Sequence, residues 1–169
     1  MENYYPVDAV IPSGENDAME RERVGQLAIL VGTLGLMLVL IGLFPTITGL
    51  EPKSGIGVLQ ILVAFGGLTL LISGALLFSK IMFYPHQRTN LAQQIGVRLS
   101  LTGLLMTGAA GLADVLGFGS HAPDSEHQIV PVLGKWQAFG MIIGFMVASL
   151  GVIIFTWMGP SATDDPANN

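Results

Sequence analysis

The chain has 169 residues, of which 51% are hydrophobic and only 11% are charged, and its mean hydropathy is +0.63. A water-soluble domain usually carries about 25% charged residues. The composition therefore excludes an ordinary soluble domain and intrinsic disorder, and it favours lipid as the main solvent. The net charge of −5 argues against nucleic acid as a partner, and the absence of cysteine excludes disulfides and thiol catalysis.

The first 23 residues are polar and acidic, and Pro6, Pro12 and Gly14 interrupt any regular pattern. We predict an acidic, disordered cytoplasmic tail over residues 1–23. This segment lacks the basic start of a secretory signal, so the apolar run behind it is expected to stay in the protein.

Four apolar runs follow, each close to the ~20 residues that a helix needs to cross a bilayer. They cover residues 24–44, 57–79, 95–118 and 136–158. None alternates in polarity, which disfavours strands. The sequence predicts an all-α integral membrane protein, a four-transmembrane-helix bundle over residues 24–158, followed by a polar cytoplasmic tail over residues 159–169.

The basic residues predict the orientation of this bundle. Five lie at one predicted membrane side and two at the other; the five are Arg21, Arg23, Lys80, Arg88 and Arg98, and the two are Lys53 and Lys135. The positive-inside rule then places the N- and C-termini in the cytoplasm.

Glycines recur along the chain in a way that suggests a duplicated helical hairpin. Gly25 and Gly32 recur 71 residues later as Gly96 and Gly103, and residues 57, 60, 67 and 74 (Gly, Gln, Gly, Gly) recur 77 residues later. The two copies would have the same orientation, as in a parallel repeat. Because glycine is abundant here, chance recurrence is the other interpretation.

Small residues form stripes at helical spacing, which lets helices approach closely in lipid. The helix-packing stripe of the fourth run is Gly140, Gly144 and Ala148; that of the third is Gly96, Ser100, Gly103, Thr107 and Gly111. The stripes predict helix contacts and leave open whether the neighbour belongs to the same chain.

Two ionisable residues lie inside the third run, Arg98 near its start and Asp114 near its end. An intramembrane carboxylate is a candidate ion-binding group, but the position of Asp114 also fits a hydrated interface. Arg98 is close enough to the cytoplasmic side for its side chain to extend to the headgroups.

Cofactor and metal chemistry find little support in the sequence. His121, Asp124, Glu126 and His127 follow the third run, but their spacing matches no strong metal signature. No histidine lies within the four runs, so we expect no haem and no other cofactor. No catalytic motif is present, and we expect the protein not to be an enzyme.

These observations predict a non-catalytic accessory or structural subunit that packs against other membrane proteins or self-associates within the lipid bilayer. The alternative is a small transporter or channel with Asp114 in its pathway, joined by Thr102 and Thr107. The direction of the polar side chains distinguishes the two hypotheses: transport requires them to converge on a cavity, whereas a solid bundle centre favours the accessory subunit.

Overall fold

The computed structural model describes residues 13–44, 57–85, 87–113, 115–118 and 134–159, with side chains from residue 18 onward. Within these residues the chain forms four α-helices: α1 (Ser13–Leu43), α2 (Val58–Phe83), α3 (Leu91–Gly111) and α4 (Lys135–Trp157). The prediction of an all-helical chain with four helices is confirmed. Three stretches are long and apolar enough to cross a membrane, namely Ala18–Leu43, Val58–Phe83 and Lys135–Trp157.

Helix α3 is not among these three stretches, although its run was predicted to span. Gln93, Gln94 and Arg98 lie in its first half and lower its hydropathy. The helix begins at Leu91, before the predicted residue 95, because the Asn90 side chain caps it: Oδ1 accepts a hydrogen bond of 2.8 Å from the Gln93 backbone N–H.

The end of α3 was also predicted wrongly, since the helix stops at Gly111 rather than at residue 118. Glycine is a poor helix former, and residues 112–113 and 115–117 lie in turns, with a φ of 84° at Gly117. Asp114, which was predicted near the end of this helix, falls outside the described residues.

Helix α1 begins at Ser13, well before the predicted start at residue 24, so residues 13–23 are helical rather than an irregular tail. This segment follows Pro12 and is rich in acidic residues, which the N-terminal end of a helix dipole favours. Gln26 lies one turn after Glu22, and Gln26 Nε2 donates a hydrogen bond of 3.4 Å to Glu22 Oε1. Pro6, Pro12 and Gly14 favour an irregular segment, but from Ser13 onward the chain is helical.

The helices pack as two hairpins, α1 against α2 and α3 against α4. In both hairpins a glycine of the first helix lies against the backbone of the second helix. Gly35 of α1 lies against the backbone of Gly67 and Leu71 in α2, and Gly103 of α3 lies against the backbone of Gly144 and Ala148 in α4.

The starts of α2 and α4 are also alike. The backbone N–H of Gly57 donates to Gln60 Oε1 over 3.0 Å, and that of Gly134 donates to Gln137 Oε1 over 2.7 Å. Each glutamine thereby satisfies a backbone donor that the first helical turn would otherwise leave open.

The helix contacts of the two hairpins match each other at a register that differs in part from the one the sequence pattern predicts. Residues of α2 correspond to residues of α4 at the predicted offset of 77, but α1 corresponds to α3 at an offset of 68, from Gly35 to Gly103, and not 71. Small residues recur about every turn of α1, so two alignments of α1 with α3 that differ by three residues both match a glycine to Gly103. Sequence matching alone chose the wrong turn.

The two hairpins meet along α2 and α4, which run in the same direction. At one end, Ser79 Oγ and Thr156 Oγ1 lie 3.0 Å apart in a hydrogen bond. These two residues correspond to each other at the predicted offset of 77. The core between the hairpins consists of Leu68, Ile72, Leu104 and Ala148.

Candidate functional site

The predicted stripe of α3 faces α4 within the same chain. Ser100 is fully buried, and its hydroxyl donates to the Ala148 carbonyl over 3.0 Å. Thr107 is also buried, and its hydroxyl lies 2.9 Å from the Gly103 carbonyl and 3.3 Å from that of Met141. Both hydroxyls therefore serve helix packing.

The glycines of the two predicted stripes lie at close helix contacts. A Cβ on Gly96 would lie 2.7 Å from the Gly151 carbonyl oxygen, and one on Gly140 would lie 2.9 Å from the Cβ of Ala110. Gly144 lies against the backbone of Thr107 and Gly103, and Ala148 is completely buried. Gly111 contacts Met141 of α4 and also Ile61 of α2.

A polar cluster joins the hairpins where α2 and α4 end, which we call the Tyr84 end. The Tyr84 hydroxyl donates to the Thr156 carbonyl over 2.7 Å, and Asn90 Nδ2 donates to the Met158 carbonyl over 2.6 Å. Both carbonyls belong to the last turn of α4, where a helix lacks backbone partners. The cluster therefore both closes α4 and holds α3 and the α2–α3 connection to it.

Gln93 is the residue that sequence reasoning missed. Its side chain is 0% exposed, and neither Oε1 nor Nε2 has a hydrogen-bond partner among the described residues. A buried amide without partners is costly. The signal was present in the sequence, because Gln93 lies one turn before Gly96 and continues the stripe that faces α4.

The other predicted polar residues do not converge on a site within the described part of the chain. Arg98 is exposed on α3, and the exposed Thr102 donates its hydroxyl back to the Arg98 carbonyl over 2.9 Å. Asp114, His121 and His127 lie outside the described residues, as does His86. Among the side chains that are described, no three His, Asp or Glu residues form a group that could hold a metal ion.

Most of the apolar surface of the helices faces outward. In an apolar window of 18 residues from each of the three stretches, only 17% to 28% of the residues are buried within the chain. Soluble monomers rarely leave contiguous apolar surface of this extent uncovered. A bilayer, other protein chains or both must cover it.

One outward face differs between the two hairpins. On α2 it carries Gly66, Thr69 and Ser73; Gly66 has open space where a Cβ would lie, and Ser73 is exposed. The corresponding face of α4 carries large side chains, Ile143, Met146 and Leu150, which are 37%, 64% and 50% exposed. The α2 face is therefore a shallow surface, which we call the small α2 face.

An apolar cavity of about 330 Å³ lies between α1, α2 and α4, near the start of α2 and α4. Its lining includes Val39, Ala64, Leu68, Ile142 and Phe145. Thr107 contributes the one polar side chain of the lining, and its hydroxyl is already engaged with backbone carbonyls. The cavity offers apolar contact and no free polar group from these side chains.

Compared with protein-family models, with curated proteins and with solved structures, the chain matches none of them.

Proposed function

We propose that the protein is a non-catalytic, four-helix membrane subunit that associates with other membrane proteins through its small α2 face. The observation that carries the proposal is the difference between the hairpins. Close-packing glycines occupy equivalent interfaces in both, but the outward face of α2 keeps Gly66, Thr69 and Ser73 where α4 has large side chains. Small residues allow another helix to approach closely in lipid.

The proposal includes membrane integration with all four helices spanning. The three most apolar stretches support it, together with their outward-facing side chains. Helix α3 would span as the partner of α4, since its polar residues Gln93, Ser100 and Thr107 are buried against protein. Polar residues inside a membrane face the bundle interior for this reason.

The proposal also includes an internal duplication of the hairpin. Its support is the shared packing of Gly35 and Gly103, the shared glutamine caps, and the contact between the corresponding residues Ser79 and Thr156. A parallel repeat of this kind places both hairpins in the membrane in the same orientation.

The hydroxyls that the transporter hypothesis needs are used elsewhere. Thr107 donates to carbonyls of α3 and α4, and the exposed Thr102 donates within α3. Leu68, Ile72 and Leu104 fill the centre between the hairpins. These contacts favour a packing role over a polar pathway, so we propose the accessory subunit as the function.

Native purification tests the association. A tagged chain extracted from its own membrane in mild detergent is expected to co-purify with other membrane proteins at fixed stoichiometry. Gly66→Leu is expected to reduce their recovery while leaving the fold intact, because nothing lies within 4 Å of a Cβ at this position. Ile143→Leu, at the corresponding position of α4, is the matched control. A wild-type chain that runs alone as a monomer contradicts the proposal.

Cytoplasmic termini follow from the positive-inside rule, which places Lys80, Arg88 and Arg98 in the cytoplasm and Lys135 outside. Because the chain has no cysteine, one introduced thiol reports its own position. We expect Phe118→Cys to react with a membrane-impermeant maleimide in intact cells and Thr89→Cys to react after lysis only. The reverse pattern contradicts this orientation.

A further inference from the structure

The cavity between α1, α2 and α4 has a counterpart between α2 and α3, where large side chains close the gap between the two hairpins. There the ring of Phe65 from α2 lies over Gly108 of α3, and its Cζ is 2.9 Å from where a Cβ of Gly108 would be. Ile61 lies over Gly111 in the same way, with its Cγ2 at 2.9 Å. Two large side chains therefore fill this cleft because two glycines make room for them.

At the cavity between α1, α2 and α4, the large aromatic residue is replaced by a smaller one, and the glycine is replaced by a large one. Offsets of 77 and 68 place Ile142 where the other side has Phe65, and Leu40 where it has Gly108. Ile142 is shorter than phenylalanine and is 59% exposed, so it fills less of the space beside α1 than a phenylalanine would. The cavity of about 330 Å³ thus has isoleucine at the position where the other cleft has Phe65, while Phe65 and Phe145 both contribute to its lining.

We propose that this cavity holds one acyl chain of a membrane lipid. The inference rests on the proposed membrane location. A purely apolar cavity does not attract water, and at the corresponding place between α2 and α3 the ring of Phe65 supplies the hydrocarbon that fills the gap. The volume lies at the lower limit of the ~300–1,000 Å³ typical of ligand pockets, which suits a single chain and not a folded partner segment.

The lining also determines which part of the lipid binds. Its one polar side chain, Thr107, donates to the Gly103 and Met141 carbonyls and has no hydroxyl proton left to offer. No charged side chain takes part in the lining. The site therefore recognises the hydrocarbon chain, and the headgroup stays at the membrane surface.

The test reconstitutes the full chain with a phosphatidylglycerol that carries a photoactivatable diazirine in one acyl chain. After illumination, peptides containing residues 36–43, 64–71 and 141–145 are expected to be labelled severalfold more than the outward-facing Leu105 and Leu59, which are 73% and 74% exposed. Equal labelling overturns the proposal. Labelling replaced by a cross-link to another protein also overturns it, because a protein segment then occupies the cavity.

A pair of variants separates the cavity from the general surface. Ile142→Phe introduces the residue of the closed side and is expected to reduce labelling severalfold, whereas Ile143→Phe makes the same change at a neighbouring position outside the lining. Equal effects of the two variants overturn the proposal. Unlabelled phospholipid should compete with the labelling of the cavity peptides. If an unlabelled polyprenol competes more strongly than phospholipid, the assignment to an acyl chain is overturned.

Alkaline extraction of membranes distinguishes this inference from the proposed function. If carbonate releases the chain, the membrane location itself fails. If the chain remains in the pellet and its cavity peptides are not enriched, the lipid site alone fails.

Discussion

Substituting Gly103 by alanine tests the packing of α3 on α4 most directly. A methyl group on this residue would lie 2.5 Å from the Gly144 carbonyl oxygen and against the backbone nitrogen of Ala148. Heavy atoms pack best at ~3.5–4.0 Å, so α3 and α4 must separate by roughly 1 Å. Backbone atoms of a helix cannot rotate away as a side chain does, and overpacking of this kind costs about 1–3 kcal/mol.

The matched control is Gly66→Ala on α2, where nothing lies within 4 Å of the added methyl. This change adds no clash and raises helix propensity, so it is expected to stabilise the chain by about 0.5–1 kcal/mol. The two variants carry the same chemical change within a helix and differ in the space around it. Their effects on stability should therefore have opposite signs.

The assay is the apparent melting temperature of the purified protein in detergent, taken from the loss of its monodisperse size-exclusion peak after heating. For a chain of this size ~1 kcal/mol corresponds to ~2–4 °C. We expect Gly103→Ala to melt several degrees below wild type and Gly66→Ala at or above it. If Gly103→Ala is as stable as Gly66→Ala, α3 and α4 do not approach each other at this residue, and the argument from close packing is refuted.

Three further predictions concern the Tyr84 end. A double Ser79→Cys, Thr156→Cys variant should form an intrachain disulfide on mild oxidation, because the two hydroxyls are 3.0 Å apart. The disulfide would be seen as a mobility shift that dithiothreitol reverses. A Ser73→Cys, Thr156→Cys variant should form none, since Ser73 is exposed on another face of α2. Gln93→Met should raise the melting temperature, since it removes a buried amide without partners at a cost of about 1–3 kcal/mol; a lower melting temperature would indicate that the amide is satisfied. Asn90→Ala should destabilise the chain by about 1 kcal/mol through loss of the α3 cap. Asn90→Ser keeps a capping oxygen and should be more stable than Asn90→Ala. Equal stability of wild type and both variants contradicts the capping role.

Much of the fold was predictable from the residue types and from the lengths of the apolar runs. The helices at residues 58–83 and 135–157 agree with their predicted runs to within a few residues, because long apolar segments bounded by Gly57, Lys80 and Gly159 allow little else. The ends of α1 and α3 were wrong for local reasons. Acidic residues extend α1 before its apolar run, and Gly111 ends α3 inside its run.

The candidate site was less predictable. The stripe of Gly96, Ser100, Gly103 and Thr107 indicated a close helix contact, but not which helix fills it. The burial of Gln93 and the hydrogen bonds of Tyr84 and Asn90 join residues far apart in the chain, and no local pattern encodes them.

The sequence by itself determined the number of helices, their apolar character and the positions at which backbones could approach, because these depend on composition and on the 3.6-residue period. It could not determine the register between α1 and α3, since glycines one turn apart are interchangeable in a pattern. Only the tertiary structure showed that Gly103 corresponds to Gly35, and that Phe65 closes one cleft while Ile142 leaves the other open. The physical reason is that packing depends on which side chain meets which gap across two hairpins, and that pairing exists only once the chain is folded.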